Sequence, residues 1–134
     1  MARAESDRYQ YRTGRPDWRG WFIEDESLMP GGGKFDAATV AVNTFGRKPL
    51  ESGFIVGRNQ VEIDARGPFR KAVAGDIQVY VLAFEVRNLD VQNDIDLVRP
   101  QSGMIIKENY LPDQTHLGVM RADLLKSYIL TKGV

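Results

Sequence analysis

The chain reads as mainly β: a small β-sandwich or barrel with an extended N-terminal arm, and a C-terminal segment that suits one short helix or a strand. Three observations predict this. From Phe45 to Val86, short apolar runs are cut by Gly and Pro turns. One of those runs, Ile77 to Val86, is apolar on both of its faces, as a strand covered on both sides must be. Residues before Lys34 hold no sustained helical or strand period, yet both tryptophans lie there.

A length of 134 residues fits one domain and allows a core without metal or disulfide staples. Hydrophobic residues make up 43% and charged residues 27%, which argues against wholesale disorder. Lys plus Arg and Asp plus Glu balance at 18 each. A zero net charge speaks against bare nucleic acid as the main partner, because phosphate binding draws on a basic excess. It suits dense packing beside copies of the same chain. The absence of cysteine removes disulfides, thiolate metal sites and cysteine nucleophiles. MARAESDRYQYR has no apolar stretch like a secretory signal, and the run from Val79 to Phe84 is too short to span a bilayer.

Residues 1–34 form the expected arm and residues 35–134 the body. The arm interleaves Arg8, Arg12, Arg15 and Arg19 with Tyr9, Tyr11, Trp18, Trp21 and Phe22, followed by Glu24, Asp25 and Glu26. Met29-Pro30-Gly31-Gly32-Gly33 then reads as a flexible hinge. In the body, Ala38–Val42 is a candidate strand, and Gly53–Gly57 is a strand bracketed by glycines. Val61 and Ile63 alternate with Glu62 and Asp64, the pattern of a half-buried strand. Ala65-Arg66-Gly67-Pro68 is a turn. Lys71–Ala74 and Asp76–Arg87 follow, separated by Gly75. In the second piece Ile77, Val79, Val81 and Ala83 share one face, and Tyr80, Leu82, Phe84 and Val86 the other. Asn88–Asp96 is a polar connection, and Ile95, Leu97 and Val98 form a short strand ended by Pro100. Gly103–Lys107 is a further strand, and Leu111–Gln114 a turn. Leu124, Leu125, Tyr128 and Ile129 give Arg121–Leu130 a helical stripe, although Tyr-Ile-Leu-Thr also suits a strand.

No residue group satisfies the needs of a reaction, so no catalytic residue, metal or cofactor is assigned. Pro30-Gly31-Gly32-Gly33-Lys34 lacks the P-loop spacing, and Phe35 stands where the Mg²⁺-binding hydroxyl belongs. His116, the single histidine, reads as a loop residue bonded to a backbone carbonyl; Ser102 and Ser127 do not sit in a nucleophile elbow. Asp90, Asp94 and Asp96 lack the glycine and spacing of a calcium loop. Glu62 and Asp64 read as the wet face of a strand rather than paired catalytic carboxylates.

The arm carries the candidate contacts: Tyr9, Tyr11, Arg12, Arg15, Trp18, Arg19, Trp21 and Phe22. Arginine with aromatics grips single-stranded nucleic acid by phosphate contacts and stacking, and the same composition marks protein–protein hot spots. Glu5, Asp7, Asp17 and the acidic run after Phe22 dilute the positive charge, which favours a protein partner.

Arg47–Gly57 places a turn before an apolar strand closed by glycine. Phe69-Arg70-Lys71-Ala72-Val73-Ala74-Gly75-Asp76 then leads into Val79–Val86. This order resembles the small β-rich decoration, or cement, proteins of tailed-phage capsids, over the central third of the chain. Val79-Tyr80-Val81-Leu82 lacks that group's glycine at the strand start, and the long arm is not general to it. The resemblance implies a non-enzymatic virion protein on the capsid surface, assembled in the host cytoplasm. Its partners would be the major capsid protein and copies of itself, as trimers at local threefold positions. Neither membrane nor nucleic acid is an expected partner. A tail, neck or baseplate protein, and a small single-stranded nucleic-acid-binding barrel, are the alternatives.

Overall fold

The computed structural model describes residues 28–100 and 105–132. Seven strands are present among them: β1 (Gly33–Lys34), β2 (Ile55–Arg58), β3 (Arg70–Lys71), β4 (Gln78–Val81), β5 (Asp94–Ile95), β6 (Ile105–Lys107) and β7 (Ile129–Thr131). Two helices accompany them, α1 (Gln60–Asp64) and α2 (Gln114–Leu124). The strands form three small sheets: antiparallel β1–β5, antiparallel β3–β2–β4, and parallel β6–β7. The fold is therefore β-rich with two short helices, and none of the three sheets closes into a barrel. Isolated bridges join the sheets, pairing Phe35 with Phe69 and Leu82 with Leu97.

The twice-apolar segment is the centre of the fold, as its pattern predicts. β4 pairs with β2 on one side, and on the other Val98 N–H donates to Val81 O (2.9 Å) and Ala83 N–H to Asp96 O (2.8 Å). Its two faces enter two cores. Val79, Val81 and Ala83 join Ile55, Val98, Ile106, Leu117, Met120 and Leu124. Leu82 and Val86 join Phe35, Val56, Phe69, Ile95 and Leu97, with Tyr80 packed beside them. Two residues depart from the expected faces. Ile77 is 64% exposed, since it precedes the paired stretch. Phe84 enters the first core, because a bend at that residue interrupts the alternation.

The Val61/Ile63 alternation is not a strand. Asn59 accepts a bond from Glu62 N–H (2.9 Å) and the Glu62 side chain returns one from Asn59 N–H (2.9 Å), a capping box that winds Gln60–Asp64 into α1. Val61 is left 75% exposed. The expected strand at Ala38–Val42 is replaced by a 3₁₀ turn, Ala37–Thr39, capped by Asp36. The glycine run, expected as a flexible hinge, forms a defined turn among the described residues. Gly32 N–H bonds Met29 O (3.0 Å), with Gly31 at φ 80° behind Pro30, a turn that takes proline second and a positive-φ glycine third. Gly33 then pairs with Ile95, and a Cβ there would stand 2.9 Å from the Phe69 ring.

The C-terminal helix starts earlier than its stripe suggests. Asp113, expected in a turn, caps α2 by accepting from His116 N–H (3.0 Å), and the helix ends at Leu124. His116, Leu117, Met120 and Leu124 are its buried face. The chain then forms β7, parallel to β6, so β6–α2–β7 is a βαβ crossover. Tyr128 closes the joint: its buried hydroxyl donates to Val98 O (2.6 Å) and accepts from Val81 N–H (3.3 Å). No helix among the described residues is long and apolar enough to cross a membrane.

Candidate functional site

The arm contacts Tyr9, Tyr11, Arg12, Arg15, Trp18, Arg19, Trp21 and Phe22 lie outside the described residues. The other sequence candidates can be placed, and most are occupied by structural work. Arg70 uses all five of its N–H donors. It forks onto Asp76 (2.8 and 2.9 Å), forks onto Glu62 (2.5 and 3.2 Å), and reaches Lys71 O (3.0 Å). Glu62 is held below the ordinary carboxylate range, first by Asn59 N–H and then by Arg70. Burial pushes the Asp76 carboxyl up, but Arg70 and Val73 N–H outweigh it and keep it low. Glu62 is thus a cap and ion-pair partner rather than the wet face of a strand. Asp64 accepts instead from Gln60 (2.8 Å), so the two do not act as a carboxylate pair.

The three loop aspartates disperse. Asp94 pairs with Lys34 (2.8 Å) and Asp90 with Lys48 (3.6 Å). Among the described residues no group of three His, Asp or Glu side chains is placed to hold a metal ion. His116 does bond a backbone carbonyl, with Nε2 at 2.6 Å from Ala72 O, but from a helix rather than a loop. Its Nδ1 is buried and has no partner among the described residues, and no described serine bonds the ring; Ser102 lies outside the described residues. Glu108, also buried, is clamped between Lys132 (2.7 Å) and Arg121 (3.1 Å). These cations hold its carboxyl below the usual range, Lys132 contributing most.

Two surface features have no counterpart in the sequence pattern. The first is a pair of neighbouring loops. Asn43 Oδ1 accepts from Phe45 N–H (2.9 Å) and Arg47 N–H (3.0 Å). Asn88 Oδ1 accepts from Lys48 N–H (3.3 Å) and Asp90 N–H (3.2 Å). The Leu50–Val86 bridge and the Leu89 N–H to Lys48 O bond (2.9 Å) run the two segments side by side, so both loops project from the same end. Phe45 is 83% exposed at the tip of one and Val91 85% exposed on the other. The second feature is a cleft of about 620 Å³ beside β1, lined by Gly32–Ala38, Arg58, Arg66–Phe69 and Asn93. The only hint of either lay in single residues: an asparagine before each loop tip, and scattered cations, of which Lys34 is distant in sequence from Arg58 and Arg66. Neither set has a spacing that a motif search can find.

Among the described residues Glu62, Asp76 and Glu108 are held in ion pairs, while the loop tips and the cleft are open to solvent. No protein-family model, no curated protein and no solved structure matches the chain.

Proposed function

We propose that this is a non-enzymatic virion structural protein that decorates the capsid lattice of a tailed phage, binding the major capsid protein beside copies of itself. The observation that carries the reading is the pair of asparagine-locked loops presenting Phe45 and Val91 to solvent. An aromatic side chain on an already ordered turn loses little freedom on docking, which is how binding anchors gain affinity. The motif residues of the resemblance support it too, since they form scaffold: Gly57 lies against Asp76 in the ion-paired turn. In this reading the Tyr9–Phe22 segment supplies a second contact, and weak contacts add up on a repeating lattice.

We infer for the body a small barrel made by joining the sheets edge to edge. β1 meets β3 through Phe35–Phe69, β3 pairs with β2, and β2 with β4. β4 meets the chain after β5 through Leu82–Leu97, and β5 returns to β1. The second core, with Phe35, Val56, Phe69, Leu82, Ile95 and Leu97, supports this as the interior.

The test is to add purified protein to capsids assembled without it, and to measure occupancy by co-sedimentation and electron cryomicroscopy. Saturable binding at symmetry-related positions is expected, lost in Phe45→Ala with unchanged melting temperature. No binding to the lattice, with ring-shaped oligomers in free solution, would replace this reading with a tail or baseplate role.

A further inference from the structure

The cleft beside β1 brings together three cations: Arg58 at the end of β2 and Arg66 after α1, eight residues apart, and the more distant Lys34 on β1. Arg58 is pre-set. Its Nε donates to Gln78 Oε1 (2.6 Å), its Nη1 to Gly67 O (2.9 Å), and its guanidinium lies 4.4 Å from the Phe69 ring centroid. Its Nη2 donates to nothing among the described residues.

Arg66 is the more telling residue. Arg66 N–H bonds Ile63 O (3.0 Å) and Gly67 N–H bonds Glu62 O (2.8 Å), the double bond that ends a helix with a left-handed residue. Arg66 is that residue, at φ 55°, and it is the single non-glycine positive φ among the described residues. Glycine is the ordinary occupant of such a position. The arginine side chain is exposed, and no hydrogen bond or ion pair to the described residues offsets the backbone conformation. A residue that breaks a local rule without internal compensation points outward, to a ligand.

We propose that this cleft binds the carboxylates of an acidic peptide segment from a partner protein, with Arg58 and Arg66 as the anchors. Arg66 offers a guanidinium fork that is free among the described residues and Arg58 its remaining Nη2 donors, charge-assisted partners suited to carboxylate oxygens. The cleft is also flanked by the carboxylates of Asp36 and of Asp94, the latter paired with Lys34. Those rim charges repel a continuous polyanion but leave room for spaced carboxylates. Ala37, Ala38 and Pro68 add apolar wall for the peptide stem. The site stands on this geometry alone and holds whether or not the partner belongs to a capsid.

The experiment titrates the full chain with a blocked Glu-Gly-Glu-Gly-Glu peptide, a Gln-Gly-Gln-Gly-Gln control and a dT10 oligonucleotide, followed by calorimetry and amide NMR shifts. Arg66→Gly is the informative variant, because glycine suits the backbone there and the fold is retained. Salt-sensitive binding of the spaced-glutamate peptide, with shifts centred on Gly33 and Gly67 and affinity reduced about tenfold or more in Arg66→Gly, is the expected result. Equal binding by Arg66→Gly, shifts elsewhere, or no binding overturns the site. Tighter binding of dT10 than of the peptide overturns the ligand class and assigns the cleft to nucleic-acid phosphate.

Discussion

A Cβ added to Gly57 would stand 2.5 Å from Oδ2 of Asp76. The glycine that closes the β2 motif and the aspartate that closes the Lys71–Asp76 motif are therefore one packing unit: the missing side chain makes room for the buried carboxylate that Arg70 and Val73 bind. Gly57→Ala is expected to destabilise by about 1–3 kcal/mol through overpacking. Asp76→Ala is expected to cost about 1–3 kcal/mol by removing one of the two carboxylates on Arg70 and leaving Val73 N–H without its acceptor. Chemical denaturation of both and of the double variant would show Gly57→Ala costing less when Asp76 is already alanine. Strict additivity would refute the unit.

Arg66→Gly should raise stability while weakening the proposed cleft. Removing a left-handed arginine relieves strain, and glycine's greater unfolded-state freedom takes part of that back, for a net gain of about 1 kcal/mol. A thermal melt that falls instead would show that Arg66 makes an internal contact.

Tyr128 ties the βαβ unit to the central strand through Val98 O and Val81 N–H. Burial pushes its phenol well above the ordinary tyrosine range, so it stays a neutral hydroxyl. Tyr128→Phe leaves a buried carbonyl and amide without this partner and is expected to cost about 1–3 kcal/mol. Amide exchange at Val81 should accelerate by a corresponding factor.

Acid should loosen the fold in a defined order of sign. Asp76, Glu62 and Glu108 are all held below their ordinary values in the folded state. The stability they contribute is present above the unfolded carboxylate range, about pH 4, and is lost as pH falls through the lower folded values. Melting temperature should therefore drop below about pH 4, and less steeply in Asp76→Asn than in the parent chain. An unchanged slope in that variant would remove Asp76 from the account.

Much of the β framework was legible because it rests on local alternation. The Gly53–Gly57 strand and the doubly apolar strand through Val81 are read from side-chain type alone. α1 was not, because Val61-Glu62-Ile63-Asp64 mimics a strand over four residues; the capping pair Asn59 and Glu62 was the signal that decides it. α2 was displaced because its C-terminal stripe continued into β7, while its start depended on Asp113 turning inward to His116 N–H. The candidate surfaces were less legible still, since Phe45 and Val91 become neighbours through the Leu50–Val86 bridge, and Lys34 meets Arg58 and Arg66 through the Phe35–Phe69 bridge.

By itself the sequence determined that the chain builds its core around one strand with two apolar faces, since a side chain's solvent preference acts at every residue regardless of partners. Only the tertiary structure decided what the polar residues do. Glu62 and Asp76 became structural counter-charges because the fold set both within reach of Arg70. Arg66 was left facing solvent because no described carboxylate lies within ion-pair reach of it. A charge acts through its neighbours, and the fold of the intervening turns, here over eight and six residues, decides which neighbours it meets.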